Sequence, residues 1–151
     1  MDELVALRAF LSADGLRLED VVRRIGPVAA DHGPQSNVEL TPRADWMATA
    51  STSRYPDGKI YLVEVAIPEA SRPRMADLAA HFGEGKRLFA LHGEQSFLFY
   101  PPPAGPKWNV VVIADAERCR DLHAPDDDRG PCVPVSATSP VLRVTFRRDA
   151  R

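Results

Sequence analysis

The residues best suited to acid–base chemistry are one aspartate and two histidines. Asp31 and His32 are adjacent in a Gly- and Pro-rich stretch that we predict to be a loop, and His92 lies in a second, weakly patterned stretch. A carboxylate beside an imidazole can move a proton near neutral pH, and loops often carry such groups. A pocket between sheet and helices, lined by Asp31, His32 or His92, would suit a small-molecule-binding domain or a small enzyme. The pair specifies no reaction, so we assign no catalytic residue.

A second group of reactive residues lies towards the C-terminus. Cys119 and His123 are followed by an acidic run at residues 126–128 and by Cys132. Zinc sites use closely spaced pairs such as CxxC or HxxxH, and the sequence has neither. We therefore predict no metal site and no cofactor. We also predict that both cysteines are thiols, because two cysteines are too few for a disulfide framework; a bridge between them is the alternative.

Large aromatic side chains with a neighbouring arginine give the strongest signal for binding. Residues of these types dominate the energetics of protein interfaces. The predicted partner-binding set consists of Trp46, Arg54, Tyr55, Phe99 and Tyr100. We expect Tyr55, at a hairpin tip, and Tyr100, just before three prolines, to be the most exposed. The alternative is that two of residues 97–99 pack in the core.

The central element of the sequence is a long strand followed by a helix. Residues 59–67 predict a strand because apolar and polar side chains alternate, and Pro68 ends it because proline lacks an amide N–H. Residues 71–83 predict an amphipathic helix with Ser71 as its N-cap. A Pro-Asp-Gly turn pairs the strand with residues 46–54 in a predicted hairpin.

Two short helices precede this element. Apolar residues at helical spacing predict helices over residues 2–12 and 18–25. We predict one α+β domain over residues 1–151, an antiparallel sheet with an N-terminal helical hairpin and one further amphipathic helix packed on it. A C-terminal loop and strand cover residues 115–146. The arginine-rich residues 147–151 are predicted to be a solvated basic tail.

The chain contains a weak internal repeat. Residues 18–26 and 75–83 align without a gap and share an apolar residue, an aspartate, further apolar residues and a final glycine. Predicted strands and a Pro/Gly-rich turn follow each segment. We predict two helix-plus-hairpin units, over residues 16–67 and 73–114. The alternative is chance, because any two amphipathic helices that end in glycine share these features.

The tandem helix-plus-meander pattern of residues 16–114 resembles the β-lactamase-inhibitor-protein family and the related small outer-membrane assembly lipoproteins. The resemblance implies a protein that binds other proteins on the exposed face of a curved sheet, without catalysis. The sequence departs from the family because it has no export signal, no lipidation cysteine and no cysteine pair within each repeat. These departures favour a cytoplasmic inhibitor or immunity-like protein over a secreted one.

Charge and composition narrow the class of partner. The net charge is −2, which does not favour a nucleic-acid partner. No apolar run approaches the ~18 residues of a membrane span. We therefore expect a cytoplasmic protein whose partner is another protein, with no nucleic acid and no membrane involved. The preferred function is a non-enzymatic protein-binding module of inhibitor or immunity-protein type.

Overall fold

The computed structural model describes residues 1–33, 36–88, 93–105, 107–121, 123–124 and 126–150. The helices are α1 (Asp2–Leu11), α2 (Leu18–Arg24) and α3 (Met75–Phe82), and a short 3-10 helix covers Glu69–Ser71. The strands are β1 (Val28–Asp31), β2 (Asn37–Leu40), β3 (Thr49–Arg54), β4 (Ile60–Ala66), β5 (Lys86–Arg87), β6 (Ser96–Phe99), β7 (Trp108–Asp115) and β8 (Arg143–Ala150). Within these described ranges, no helix has the length and apolar composition needed to cross a bilayer.

The eight strands of the described chain form one antiparallel sheet in the order β1-β2-β3-β4-β8-β7-β6-β5. Strands β1 to β4 make one meander and strands β5 to β8 make another. The two meanders meet in the middle of the sheet, where β4 pairs with β8. The predicted α+β class, with an antiparallel sheet and three helices, is confirmed.

The helices cover one face of the sheet. Alternate residues of the central strands, such as Val65 on β4 and Phe146 on β8, belong to a single core cluster with residues of all three helices. The buried helix positions recur at helical spacing: Leu4, Leu7 and Leu11 on α1, and Met75, Leu78 and Phe82 on α3. Burying an apolar side chain of this size contributes about 1.5–3 kcal/mol to stability. The helices therefore pack with their apolar side against the apolar face of the sheet.

An aspartate is the third residue of both α2 and α3 and caps the start of each helix. The backbone N–H of Arg17 donates to Asp20 Oδ2 at 2.9 Å, and the backbone N–H of Arg74 donates to Asp77 Oδ2 at 2.7 Å. Each carboxylate satisfies an N–H at the helix start and lies near the positive end of the helix dipole. The aspartate shared by the two repeat sequences therefore has a structural role.

The glycine shared by the two repeat sequences ends each helix differently. A Cβ on Gly26 would lie 1.8 Å from the carbonyl oxygen of Thr41, so the chain leaving α2 passes too close to the end of β2 for any side chain. Gly83 follows α3 with φ of 87°, a left-handed conformation that favours glycine.

Three predictions of local structure are wrong. Asp31 ends the edge strand β1 and does not lie in a loop. Ser71 is not the N-cap of α3, because the bridge between Arg74 and Pro140 keeps the chain extended until the helix begins at Met75. Residues 147–151 are not a solvated tail, because β8 continues to Ala150 in register with β7 and only residue 151 lies outside the described residues.

The sheet order does not support the predicted boundaries of the repeat units. The second unit was expected to end at residue 114, but the second meander also includes β8. The predicted units would end with β4 and with β7, but these strands are not equivalent, because β4 lies at the centre of the sheet beside β8 and β7 lies one position further out. The long segment between β7 and β8 separates β8 from the rest of its meander in the sequence.

Candidate partner-binding face

The sheet face that points away from the helices is the candidate site, and we call it the open face. Its residues alternate with the core positions of the same strands. Across the central strands they form two rows, first Leu62, Arg147 and Val111, and then Glu64, Thr145, Ile113 and Leu98.

Apolar side chains lie on both sides of β8 on the open face, and we call them the apolar stripe, although Arg147 and Thr145 separate Leu62 from the other members. Val111 is 0% exposed and Leu98 is 8% exposed, although neither belongs to the core cluster on the helix side. Leu62 and Ile113 are half-buried, so part of their apolar surface faces solvent. Cross-strand neighbours of this type stabilise the sheet, and the accessible remainder is apolar surface that a partner can cover.

Two ion pairs lie beside the stripe. Arg143 Nη1 is 3.3 Å from Glu64 Oε1, and Arg147 donates two hydrogen bonds to Asp149, of 2.9 and 3.0 Å. Hydrogen bonding to Asp149 raises the pKa of the Arg147 guanidinium. The charges of these two pairs cancel, and Lys86 opposite Leu98 and Asp115 opposite Arg143 add one charge of each sign to the same face, so the border of the stripe is polar without a dominant sign.

Two tyrosines are exposed, Tyr100 beside the open face and Tyr55 at the hairpin tip. Tyr100 is 55% exposed and follows β6, where one further step of the β6–β7 register places it beside Val111. Tyr55 is 43% exposed at the β3–β4 turn, and its ring centroid is 4.7 Å from that of Tyr61 with the planes tilted by 39°.

A cleft of about 340 Å³ lies beside Tyr55. It is lined by Arg17, Leu18, Glu19, Arg54, Tyr55, Pro56 and Gly58. Arg54 Nη2 donates to both carboxylate oxygens of Asp31, at 3.0 and 2.8 Å. The guanidinium is therefore held in the wall of the cleft by an acidic partner on the edge strand.

Of the residues predicted to line a pocket, Asp31 and His32 are not brought together. Asp31 accepts hydrogen bonds from a backbone N–H two residues further along and from Arg54, and these lower the pKa of its carboxyl group in that order of importance. His32 Nε2 instead lies 3.1 Å from Glu39 Oε1. His92 lies outside the described residues. Asp31 and His32 thus face separate partners, and the core cluster occupies the space between helices and sheet.

One member of the predicted binding set packs inside the protein, and a second packs partly against the core. Phe99 is 2% exposed and belongs to the core, where a Cβ on Gly85 would lie 2.6 Å from its ring. Strand alternation places Phe99 on the helix side and Leu98 on the open face, so the expectation that Phe99 is a surface residue is wrong. Trp46 is partly buried against the core. The other three members remain at least partly exposed.

Sequence reasoning missed a buried arginine. Arg148 is 1% exposed and donates to the carbonyl oxygens of Leu11 at 2.7 Å, Ala13 at 2.6 Å and Ile60. Its guanidinium lies 4.3 Å from the centroid of the Trp108 ring. Burial lowers the pKa of Arg148, yet an arginine remains charged at any physiological pH. The signal was present, since Arg148 continues the alternation of core residues along β8.

Asp14 adds a second contact at the same place. It accepts a hydrogen bond from Lys107 Nζ and another from Trp108 Nε1, the latter at 3.2 Å. The bond from Lys107 and then the bond from Trp108 lower the pKa of Asp14. The loop after α1 is thereby joined to the start of β7, at one end of the sheet.

The two cysteines form a disulfide, so the prediction of two thiols is wrong. Cys119 and Cys132 are bonded with their Cα atoms 4.7 Å apart. The number of cysteines could not predict this bond, because a single bridge forms wherever the chain folds back and brings two cysteines together. Here the chain folds back where Arg120 N–H donates to Gly130 O at 2.9 Å. Bonded cysteines are not available as metal ligands. No group of three His, Cys, Asp or Glu side chains in the described residues could hold a metal ion.

A cleft of about 400 Å³ lies where residues 130–140, which we call the strap, cross the ends of β6 and β7. Gln95 lines it and is 5% exposed. Gln95 Nε2 donates to Glu117 O at 2.9 Å, and Gln95 Oε1 has no hydrogen-bond partner among the residues that the structure describes. The strap is the outer wall of this cleft.

Comparison of this chain with protein-family models, with curated proteins and with solved structures finds no match. The resemblance to the β-lactamase-inhibitor-protein family therefore stays a sequence-based expectation. The function has to be argued from the geometry of the chain itself.

Proposed function

We propose that this chain is a non-enzymatic protein-binding module of inhibitor or immunity-protein type, which acts through the open face and the hairpin tip. The observation that supports the proposal is the contrast between the two faces of the sheet. The helix side is filled by one core cluster, whereas Leu62 and Ile113 on the open face keep accessible apolar surface and Tyr100, after β6, is exposed. Apolar surface with a polar border is typical of protein interfaces.

Two tyrosines supply the anchors of the proposed interface. Tyr100 stands at one end of the stripe, and Tyr55 stands at the hairpin tip beside its cleft. Tyrosine and arginine are common hot-spot residues, and truncating one costs about 2 kcal/mol or more of binding free energy. The Asp31 carboxylate already orients Arg54, so little side-chain entropy remains to be lost on binding.

The charges of the open face indicate which kind of partner it can bind. Arg143 and Glu64 neutralise each other, as do Arg147 and Asp149. A strongly basic or strongly acidic partner would gain no net attraction from this balanced surface. We therefore expect a partner that presents apolar or aromatic side chains to the stripe and polar groups to its border.

We also propose that the sheet consists of two repeated units with different boundaries from those of the sequence prediction. Each unit would be a helix followed by four strands, α2 with β1 to β4 and α3 with β5 to β8. The matched helix-start bonds of Asp20 and Asp77 support this assignment. The open face then spans the junction of the units at β4 and β8, so both would contribute to binding.

The alternative function, a small-molecule-binding domain or a small enzyme, has less support. It requires Asp31, His32 and His92 to line a pocket between sheet and helices. Asp31 and His32 are each engaged with a different side chain, and the interior is packed with apolar residues. A catalytic pair would need to share one cavity within hydrogen-bonding reach of a substrate.

Site-specific photo-crosslinking in a lysate of the source organism tests the proposal. A benzophenone amino acid would replace Tyr100 at the open face or, as the matched control, the exposed Ala80 on the helix side. We expect one protein adduct from position 100 and none from position 80. Adducts from position 80 alone would contradict the proposed face.

A quantitative experiment follows with the crosslinked protein in purified form. Replacing Tyr100 with alanine should weaken its binding to the wild-type chain at least about tenfold, or about 1.4 kcal/mol. Thermal unfolding of the variant provides the control, because a folded variant that binds with unchanged affinity would contradict the role of Tyr100.

A further inference from the structure

We propose that the Cys119–Cys132 disulfide is a redox-sensitive latch that holds the strap against the body of the protein. Its reduction would release the strap and open the cleft beside Gln95 without unfolding the sheet. This device goes beyond the proposed binding function and does not depend on it.

The two ends of the strap are attached in different ways. At its C-terminal end, the N–H groups of Met75 and Ala76 donate to Ser139 O at 3.0 Å and to Ala137 O at 2.9 Å. The N-terminal end is held by the disulfide, by the 2.9 Å hydrogen bond from Arg120 N–H to Gly130 O and, just before the strap, by the 2.7 Å hydrogen bond from Asp121 N–H to Asp127 Oδ2. Among the described residues, no hydrogen bond is formed by residues 133–135. Val135 also packs partly against the core. The disulfide therefore adds a covalent cross-link to an end that is otherwise held by hydrogen bonds and one apolar contact.

The two sulfurs also differ in their surroundings. Cys119 is 4% exposed, its N–H donates to Gly93 O at 2.9 Å, and its Sγ lies 3.5 Å from the same oxygen. A Cβ on Gly93 would lie 2.1 Å from Cys119 O, so glycine is needed for this close contact. Cys132 is exposed and belongs to the strap. One sulfur is thus fixed to the body and the other can be reached by a thiol from solvent.

The difference in exposure determines which sulfur a dithiol reductant attacks first. The reductant's thiolate attacks Cys132 Sγ, the sulfur–sulfur bond breaks, and its electron pair leaves on Cys119 Sγ, which takes up a proton. The second thiol of the reductant then attacks the mixed disulfide and releases Cys132 as a thiolate, which is protonated. Two electrons and two protons pass to the protein, and the reductant becomes a cyclic disulfide.

Release of the strap changes the cleft. The strap supplies Gly130, Pro131, Val133, Pro134, Val135, Ser139 and Pro140 to its lining, whereas Gln95 and Ala116 belong to the body. Once the strap moves away, Gln95 Oε1, a buried acceptor with no partner in the described chain, gains access to water or to a donor. Release of the strap therefore widens the access of solvent donors to this acceptor.

Amide hydrogen exchange on the full-length chain tests the latch. It would be measured by NMR for the oxidised protein, for the protein reduced with dithiothreitol, and for Cys132→Ser. We expect protection at Arg120 to fall on the order of 100-fold on reduction, because the bridge no longer restrains the 13-residue chain separation. The loss at Met75 should be smaller, and protection at Val144 in the central strand β8 should stay unchanged.

The outcomes separate a latch from other roles of the bond. Unchanged protection at Arg120 after complete reduction would overturn the proposal, since the strap would then be held without the disulfide. An equal loss at Val144 would also overturn it, because the bond would then stabilise the whole fold. Cys132→Ser should match the reduced protein and show no further response to dithiothreitol; a response would assign the effect to another cause.

Discussion

Arg148 stacks on Trp108 inside the protein, with its guanidinium carbon 4.3 Å from the centroid of the indole ring. The same guanidinium donates to the carbonyl oxygens of Leu11 and Ala13 at the end of α1. Cations favour the C-terminal end of a helix because the carbonyl groups there carry partial negative charge. One side chain of β8 therefore fixes the position of α1 on the sheet.

Replacing Arg148 with methionine should destabilise the fold strongly. The variant keeps an apolar stem but removes the donors to three carbonyl oxygens. A buried acceptor left without a partner costs about 1–3 kcal/mol, so we expect a loss of at least about 3 kcal/mol in the free energy of unfolding, measured by urea denaturation.

Arg147 provides the matched control, because it directly precedes Arg148 on β8 and points to the open face. Arg147→Met removes a partly exposed ion pair with Asp149 and should cost about 1 kcal/mol or less. Arg148→Lys should recover only part of the stability, since an ammonium cannot reproduce the planar fork of donors. Equal effects of the two methionine substitutions would contradict the structural role of Arg148.

The sequence predicted the helices and most strands because each has a strong local pattern. The sequence prediction failed for strands that have no strong local pattern. Strand β1 has only small and exposed residues, and residues 147–151 appeared to be a tail because arginines are usually solvated. The alternation that makes Val144 and Phe146 core residues continues to Arg148, so extending it by one step would have placed that side chain in the interior.

Only part of the candidate site could be predicted. Exposure of Tyr55 and Tyr100 followed from their positions at a turn and before prolines. Burial of Phe99 depended on which face of the sheet received the helices, and this is a tertiary property. The Cys119–Cys132 bond joins two segments that are 13 residues apart in the sequence. No local sequence pattern predicts the distance between these two segments in the fold.

Acid should destabilise the protein through its paired aspartates. Hydrogen bonds lower the pKa of Asp14, Asp31 and Asp127 below the ordinary value of 3.8. A carboxyl group with a lower pKa in the folded state binds fewer protons there than in the unfolded chain. Its contribution is therefore present above about pH 4 and is lost as the pH falls through the lowered folded-state pKa.

Urea denaturation from about pH 6 down to about pH 2 measures this loss. The denaturation midpoint should fall most steeply below about pH 4, and added salt should weaken the effect because the groups are exposed. Asp31→Asn should be less stable than wild type at neutral pH and should lose less stability in acid. An identical acid dependence in the two proteins would exclude Asp31 as a contributor.

Tyr100 and Phe99 are neighbours in sequence with opposite expected roles. Tyr100→Ala should change the free energy of unfolding by less than about 0.5 kcal/mol, because the side chain is 55% exposed. Phe99→Ala should cost about 3–5 kcal/mol, because the ring is 2% exposed in the core. Thermal and urea unfolding check both values. A large loss in Tyr100→Ala would show that this tyrosine supports the fold and would remove it from the proposed interface.

Substitution of the aspartates at the third position of α2 and α3 tests whether the two helices are equivalent. Asp20→Ala and Asp77→Ala should each cost about 0.5–2 kcal/mol of unfolding free energy, since each frees a backbone N–H at a helix start. Asp20 also pairs with Arg23, so its loss should be the slightly larger of the two. The double variant should show the sum of the single effects within about 0.5 kcal/mol, because the two bonds share no atom. If only one substitution destabilises the protein, the shared aspartate does not have the same function in both units, and the proposal of repeated helix-plus-meander units loses its main local support.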